Sequence, residues 1–315
     1  MFVPYLIFYN FPSLSARSGE QYDLNYHLSF YFVNDSRFKT NNPIPRDSGR
    51  TYDTENVDRD YESTIGEAGV SFNPTANLQL GMDMRVMGYY GGIADAAIEK
   101  FHGIFGFPNG LRDYFLQNQV YVNIKNEQGL SLFLNKPITS FGDIDLWAKW
   151  TFFETKLISL AGLGAFKIPS GKLNALSGSG YPDFGFGAFL DLRAARYLTI
   201  YVQAGGVFPF YLKPNPMFNG LLGLEFNRWK YISINAQVNI KSPPITNDYY
   251  WKPQTNILVG FIAELKDFKL QFYFEEDMIT NQGTDLTLNI TLSHKLHLAK
   301  YKKSSYKNKD EVLSP

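Results

Sequence analysis

Several features are missing from this chain, and each absence removes a class of protein. It has no cysteine, which excludes disulfides, thiolate catalysis, cysteine-ligated zinc and a lipid-modified N-terminal cysteine. Basic and acidic residues balance at 30 each, so no excess charge attracts nucleic acid or an acidic partner. No run of 18 apolar residues occurs, which excludes a transmembrane helix.

Known catalytic and cofactor motifs are also missing. The sequence contains no HExxH, P-loop, GxSxG or Gly-rich dinucleotide fingerprint. The glycines of "GSGYPDFGFG" lead into a strand pattern and not into a helix, so they favour close strand approach over phosphate binding. We therefore predict no cofactor and no bound metal.

The dominant pattern in the chain is an alternation of apolar and polar residues. In "QYDLNYHLSFYFVN" the apolar residues Tyr22, Leu24 and Tyr26 share one face of a strand, and the polar residues between them share the other. Fourteen segments show such patterns, at about 21–34, 59–72, 78–88, 116–125, 130–135, 142–153, 157–168, 183–193, 198–208, 219–227, 231–241, 255–265, 270–276 and 285–295. The gaps between them alternate long and short, as in a bacterial outer-membrane barrel with long outer loops and short periplasmic turns.

The composition of the two faces separates a membrane barrel from a soluble β-sandwich or lipocalin-like barrel. The polar face is mostly Asn, Gln, Ser, Asp and Gly, only 19% of the chain is charged, and aromatic residues reach 17%. A soluble protein would place many charged residues on its polar outer face. We predict an all-β, antiparallel up-and-down transmembrane β-barrel of about fourteen strands, with twelve as the alternative, over residues 21–296.

One stretch departs from alternation. In "AIEKFHGIFGFPNGLRD", Ile98, Phe101, Ile104 and Phe105 fall at helical spacing, and a Pro-Asn-Gly turn follows. We predict a short helix in the second long loop, about 89–115. It is too short to span a membrane, so it can fold over the barrel mouth as a lid or lie in the outer-leaflet interface.

Three segments resemble a family of Gram-negative outer-membrane proteins that is catalogued only as a domain of unknown function. They are "IEKFHGIFGFPNGLRD" (98–113), "SGSGYPDFGFGAFLD" (177–191) and "FYFEEDMITNQGTDLTLNITL" (272–292). The resemblance implies an outer-membrane β-barrel with a signal peptide and provides no catalytic residues. The start "MFVPYLIFYN" has no basic region and too short an apolar run for such a peptide, so we expect the presequence to be missing from this chain.

The two ends of the chain fall outside the strand pattern. Residues 1–20 are apolar and aromatic, and they can form a plug inside the lumen, by analogy with fourteen-stranded long-chain fatty acid transporters. The alternative is that residues 4–11 form a further strand. Residues 297–315 are rich in lysine and are predicted to be a flexible tail.

A few polar residues on the strands are candidates for chemistry. Asn25, His27 and Ser29 share one strand face, where they either line a wet lumen or include a Ser–His nucleophile pair. The paired carboxylates of Asp143 and Asp145 either bind a cation or line the barrel mouth. The candidate lumen and loop-gate residues are Asn25, His27, Ser29, Asp83, Arg85, Ile98, Phe101, Ile104, Phe105, Asp143 and Asp145.

The function predicted from these features is a channel or uptake protein in the bacterial outer membrane. The aromatic N-terminal segment and the apolar loop helix favour a small hydrophobic or amphipathic solute. The alternatives are a membrane-embedded lipid hydrolase that uses His27 and Ser29, and a structural or surface-interaction barrel. The expected partners are the lipid bilayer, a small-molecule solute of unknown identity and the barrel-assembly machinery, but not nucleic acid.

Overall fold

The structure is a computed structural model that describes residues 5–9, 14–38, 57–92, 94–106, 118–125, 131–210, 216–243, 253–277 and 286–298. These ranges are mostly antiparallel sheet. The strands are β1 (Asp23–Phe38), β2 (Val57–Phe72), β3 (Leu78–Tyr90), β4 (Tyr121–Lys125), β5 (Ser131–Leu134), β6 (Ile138–Glu154), β7 (Ile158–Ile168), β8 (Asp183–Ala195), β9 (Leu198–Pro209), β10 (Met217–Phe226), β11 (Ile232–Lys241), β12 (Gln254–Leu265), β13 (Phe268–Asp277) and β14 (Leu286–His297). One α-helix, α1 (Asp95–Phe105), and short 3₁₀ turns at Tyr5–Ile7 and Leu173–Ala175 complete the description. Of the helices in these ranges, none is long and apolar enough to cross a membrane.

Twelve of the strands close into a barrel. Each pairs antiparallel with its neighbour along the chain, except that β3 pairs directly with β6. The first and last strands join over a long register, from Asp23 opposite His297 to Asn34 opposite Leu286. The fold class is therefore confirmed, and the closed barrel has the twelve strands that were given as the alternative count.

The other two predicted strands form a separate hairpin. β4 and β5 pair with each other, and β4 pairs with the barrel where Val122 and Tyr121 lie opposite the start of β2. With five and four residues, the two strands are far below the roughly 9–11 residues that a membrane-crossing strand needs. The apolar side chains on one face of the hairpin are buried instead, including Val122, Ile124 and Leu132. The predicted fourteen-strand meander was wrong at this point because alternation alone does not distinguish a short buried hairpin from two barrel strands.

The barrel has two different ends. Short turns at 73–77, 155–157, 196–197, 227–231 and 266–267 lie at one end, here called the turn end, together with the start of β1 and the end of β14. The strand ends that are joined by the longer connections 39–56, 91–137, 169–182, 210–216, 242–253 and 278–285 lie at the other, the loop end. The connection 91–137 contains α1 and the β4–β5 hairpin, which confirms the predicted helix in a long loop.

The faces of the strands are reversed relative to a soluble protein. On β6, Asp143, Asp145 and Lys149 point inward and are buried, whereas Trp150 and Phe152 point outward and are 51% and 61% exposed. The same alternation recurs around the barrel, so the apolar side chains form the outer surface. Large aromatic residues on that surface concentrate near both ends, for example Phe210 and Phe218 at the loop end and Phe152 and Trp229 at the turn end. An outer apolar band with aromatic borders is the surface that a lipid bilayer solvates.

An apolar core lies inside the barrel at the loop end. We call it the loop-end cluster. It combines inward-facing barrel residues, the hairpin and the N-terminal segment: Val33, Tyr61, Ile65, Met87, Tyr89, Val122, Ile124, Leu132, Leu134, Ile7 and Phe8. The connection 169–182 also folds over this end, where the Tyr89 hydroxyl donates to the carbonyl of Leu176 at 2.8 Å. The lumen is therefore filled at the loop end.

The reversed faces give a direct stability prediction. Leu222 points outward in the middle of β10 and is 52% exposed, while its neighbour Leu221 lines the lumen. We expect Leu222→Arg to lower the free energy of unfolding by about 2–4 kcal/mol, because a cation at mid-depth loses its hydration. The matched variant Leu221→Arg faces a polar lumen and is expected to cost much less. Urea unfolding of the two variants in lipid bilayers measures the difference, and equal costs would contradict the assignment of faces.

Candidate functional site in the barrel lumen

The predicted residues of β1 face the lumen beside charged neighbours. His27 Nε2 lies 3.5 Å from Glu67 Oε1 and 3.7 Å from Asp83 Oδ1. Ser29 accepts a hydrogen bond at 2.8 Å from the hydroxyl of Thr291. Each member of the proposed nucleophile pair is thus engaged elsewhere, and in the described ranges no bond joins His27 to Ser29. Asn25 lines the same space.

Arg85 is the centre of an ion-pair cluster on the wall formed by β2, β3 and β6. Its guanidinium contacts the carboxylates of Glu67, at 3.0 Å, and Asp145. Asp83 lies nearby and accepts a hydrogen bond from the indole nitrogen of Trp147 at 2.8 Å. Gly81 leaves room for that indole, since a Cβ at this position would lie 2.1 Å from the ring. Asp145 is therefore held by an arginine and is not arranged as half of a cation-binding pair with Asp143.

Asp143 belongs to a second buried cluster, around Lys167. The ammonium of Lys167 lies 2.8 Å from Asp143 and 3.0 Å from Asp183, and all three side chains are almost fully buried. It also donates to Ser179 at 2.7 Å and to the carbonyl of Ile7 at 2.8 Å. A buried ammonium group requires such partners, because burying an unpaired charge costs much free energy. The contact with Ile7 shows what this lysine holds: a carbonyl of the N-terminal segment.

The described parts of the N-terminal segment, residues 5–9 and 14–18, lie along the inside of the β6–β9 wall. At the loop end, the amide of Tyr9 donates to Asp183 at 2.9 Å. Closer to the turn end, Asp191 accepts from the amide of Ala16 at 3.0 Å and from the Ser15 hydroxyl. Near the turn end, the amide of Ser18 donates to Glu154 at 2.8 Å. The segment therefore extends along the lumen from one end of the barrel towards the other.

Donors on the wall satisfy the carbonyls of the same segment. Lys149 donates to the carbonyls of Ser15 and Arg17 at 2.7 and 2.9 Å. Thr151 donates to Ala16 at 2.9 Å, and Gln203 donates to Leu14 at 2.8 Å. A chain without sheet partners leaves its backbone polar groups unpaired, and here lumen side chains pair them. The alternative prediction, that residues 4–11 form a further strand, does not hold for Tyr5–Ile7, which form a 3₁₀ turn.

A cavity of about 610 Å³ remains between this segment and the opposite wall. Its lining comes from β1, β2, β3, β6 and β9–β14 together with the segment. Most of the lining residues are polar, with charges of both signs. None of the loop-end cluster lines it. Asn25, His27, Ser29, Asp83 and Arg85 all do. The structure thus brings together five of the candidate residues around one space.

The loop-helix candidates are placed apart from this cavity. In α1, Ile98 is buried and Ile104 is 66% exposed. Phe101 and Phe105 lie in the same helix, and their side chains fall outside the described residues. The predicted tail also falls outside them beyond residue 298.

A group of possible metal ligands lies at the turn end, where β1 meets β14. Ligand atoms of Glu20, Asp23 and His297 lie within 4.8 Å of one another. His297 Nδ1 is 2.6 Å from Asp23 Oδ1, and the Lys295 ammonium is 3.7 Å from Asp23 Oδ2. The carboxylate of Asp23 is therefore already compensated by two neighbouring groups, as expected of a seam between the first and last strands.

Sequence reasoning missed the residues that hold the segment: Lys149, Lys167, Asp183, Asp191 and Gln203. The alternation of apolar and polar residues along each strand predicted that these side chains point inward. Their partners could not be predicted, because the contacts join positions 132 to 189 residues apart.

The profile of DUF3187, proteins of unknown function, matches residues 48–296. The chain belongs to the DUF3187 family. A search of the curated proteins found no match.

Among solved structures, the chain resembles the COG4313 outer membrane channel from Pseudomonas putida F1. The TM-score is 0.59 at 11% identity, over 91% of this chain and 100% of that one. At such low identity the likeness shows the fold, which is that of an outer-membrane barrel. More distant likenesses include the KdgM porin (TM-score 0.45, 8% identity, 87% and 99% coverage). Another is the Pseudomonas putida toluene transporter TodX (TM-score 0.37, 9% identity, 88% of each chain). These last two scores are too low to support an inference.

The contact between Tyr9 and Gly185 allows a test of how the segment is seated. A Cβ on Gly185 would lie 2.9 Å from the Tyr9 ring, so Gly185→Val must displace that ring. We expect the Tyr9 amide to lose its bond to Asp183 and to exchange hydrogen about tenfold faster or more, since a bond to a charged group contributes about 1.5–3 kcal/mol. Hydrogen-exchange mass spectrometry of the segment measures this.

Gly164→Val is the matched control for that experiment. Gly164 lies on the outward face of the adjacent strand β7, and a Cβ there meets no atom within 4 Å. The control should leave exchange in residues 5–18 unchanged. Equal exchange in the two variants would mean that Tyr9 does not pack on the lumen wall.

Proposed function

We propose that this protein is an outer-membrane channel for small solutes, and that residues 5–18 act as a lumen plug which controls the passage. The observation that carries the proposal is a 610 Å³ cavity, lined mostly by polar residues, inside a barrel whose outer surface is apolar. A lumen of this kind has no structural need for so many polar groups, since a barrel this size can be filled with side chains. Polar lining with open volume is instead typical of barrels that conduct solutes.

The placement in the membrane follows from the two ends. In bacterial outer-membrane barrels, short turns face the periplasm and longer loops face outward. The turn end, with both strand termini, is therefore assigned to the periplasm, and α1 with the hairpin to the outside. This orientation requires export and insertion, which imply a presequence and the barrel-assembly machinery as a partner.

The solute is proposed to be small and polar. The hydrophobic preference came from the aromatic N-terminal segment, but Ile7 and Phe8 pack in the loop-end cluster and do not line the cavity. The cavity instead presents amides, hydroxyls and charged groups. An apolar solute would have to displace water from these groups without replacing their hydrogen bonds, which is costly.

The plug has the character of a displaceable element. The described parts of its backbone, residues 5–9 and 14–18, are bound by wall side chains and form no strand ladder with the barrel. In α1, the buried Ile98 can anchor the helix, and the exposed Ile104 can meet a solute or a lipid at the mouth. We propose that α1, with Phe101 and Phe105, forms the outer gate, and that the plug forms the inner one.

Deleting residues 1–18 tests the plug. We expect single-channel conductance in planar bilayers to rise severalfold, because the lumen cross-section beside β6–β9 becomes water-filled. The charged groups that hold the segment would then be hydrated, so the barrel should still fold and show heat-modifiable mobility on gels. Unchanged conductance of a folded deletion variant would contradict the plug.

A milder variant gives the same test without a deletion. Lys149→Met removes both donors to Ser15 and Arg17, and we expect more frequent openings at unchanged full conductance. Lys156→Met, in an exposed turn, is the matched control and should behave as the wild type. If the protein forms no channel with or without the plug, a structural or surface-interaction role is the better account.

A further inference from the structure

Six amide side chains lie on the cavity wall opposite the plug, among charged residues and hydroxyls. We call this surface the amide wall. It is formed by residues from β10, β11, β13 and β14: Asn219, Asn235, Gln237, Asn239, Gln271 and Asn289. The hydroxyls of Thr291 and Ser293 lie on the same side. Each amide offers both a donor pair and an acceptor, so the wall can match a ligand that also carries both.

Two of these amides have hydrogen-bonding capacity that is not used. The side-chain oxygens of Asn219 and Asn239 are shielded from solvent and have no partner within the described ranges. They lie on adjacent strands and the same face, because Asn219 pairs with Lys241 and Leu221 pairs with Asn239 in the β10–β11 register. Gln237 uses one amide hydrogen to bond Asn235 at 2.8 Å. Buried polar atoms without partners are rare and point to a ligand or solvent that completes them.

The charges around the cavity do not favour an ion. Glu225 accepts from the Tyr201 hydroxyl at 2.5 Å, and Glu275 accepts from Asn256. Lys295 lies 3.7 Å from Asp23, and the Arg85 cluster is paired as described above. Acids and bases are interspersed, so no field of one sign builds up to concentrate a charged solute.

Aromatic rings complete the lining. Tyr31, Tyr201 and Tyr273 line the same cavity as the amide wall. A ring beside hydrogen-bonding groups suits a ligand with both an apolar C–H face and a rim of hydroxyls. The volume lies within the roughly 300–1,000 Å³ of pockets that enclose a small ligand.

We propose that the amide wall binds an uncharged, polyhydroxylated solute, a sugar or polyol. Adjacent hydroxyls on such a molecule can bond Asn219 and Asn239, accepting from their amide hydrogens and donating to their unused oxygens. The binding site stands on the cavity alone, while its role in passage rests on the proposed channel function.

The test is calorimetric titration of the full-length protein in detergent with maltotriose, with glutamate and toluene as charged and apolar comparisons. We expect maltotriose to bind and the other two to bind more weakly. Asn219→Leu and Asn239→Leu remove the amides at nearly constant size, and each should weaken maltotriose binding about tenfold or more, the equivalent of about 1.4 kcal/mol for a lost hydrogen bond. The matched control is Asn227→Leu in an exposed turn, which should leave binding unchanged.

Replacement variants and a channel measurement distinguish the possible outcomes. If a leucine variant does not fold, as judged by heat-modifiable mobility, Asn219→Ser and Asn239→Ser replace it, with the same loss expected from the shorter side chains. Absence of maltotriose binding, equal binding to the variants, or tighter binding of glutamate or toluene would overturn the proposal. Channel current without sugar binding would support the channel function and contradict the sugar site. Sugar binding without channel current would support the sugar site and contradict the channel function.

Discussion

Pairing of backbone polar groups in an apolar medium is the constraint on which this structure depends. A strand in lipid has no water to satisfy its amides and carbonyls, so the sheet must close, as it does where β1 meets β14. Closure turns one face of every strand outward to lipid and the other inward. The apolar residues of the alternating pattern take the outer face, and the polar residues are left with the lumen.

The polar lumen then makes the plug possible. Residues 5–9 and 14–18 form no strand ladder with the barrel, and inside an apolar core their backbone could not be buried without large cost. In this lumen, Asp183 and Asp191 accept their amides, while Lys149, Lys167 and Gln203 donate to their carbonyls. The same side chains therefore line the lumen and bind the backbone of the segment.

The same physics explains what the sequence predicted well and what it did not. Strands such as β6 and β11 could be predicted because backbone geometry makes side chains on a strand alternate between two faces, and the residue types follow that alternation. The helix α1 could be predicted because its apolar residues follow helical spacing and not the alternation of a strand. β4 and β5 show the limit: their period is that of a barrel strand, and only their shortness reveals that they fold inward. The contacts of the plug lie beyond such reasoning, because Ala16 meets Thr151 and Asp191 only after the barrel has closed.

The candidate site was predicted to the same partial extent. The lumen face of β1 and β3 was identified, with His27, Asp83 and Arg85 on it. That these residues form ion-pair and hydrogen-bond clusters with Glu67, Asp145 and Trp147 depends on strand register, which no single segment encodes.

The central claim is that residues 5–9 and 14–18 lie inside the barrel against the β6–β9 wall. The chain has no cysteine, so a disulfide between introduced cysteines tests it directly. Ala16→Cys combined with Thr151→Cys should cross-link within one chain under mild oxidation, since Thr151 Oγ1 lies 2.9 Å from the Ala16 carbonyl. Ala16→Cys combined with Thr291→Cys, on the opposite wall of the lumen, should cross-link far more slowly. Equal yields for the two pairs, or cross-links only between chains, would contradict the account.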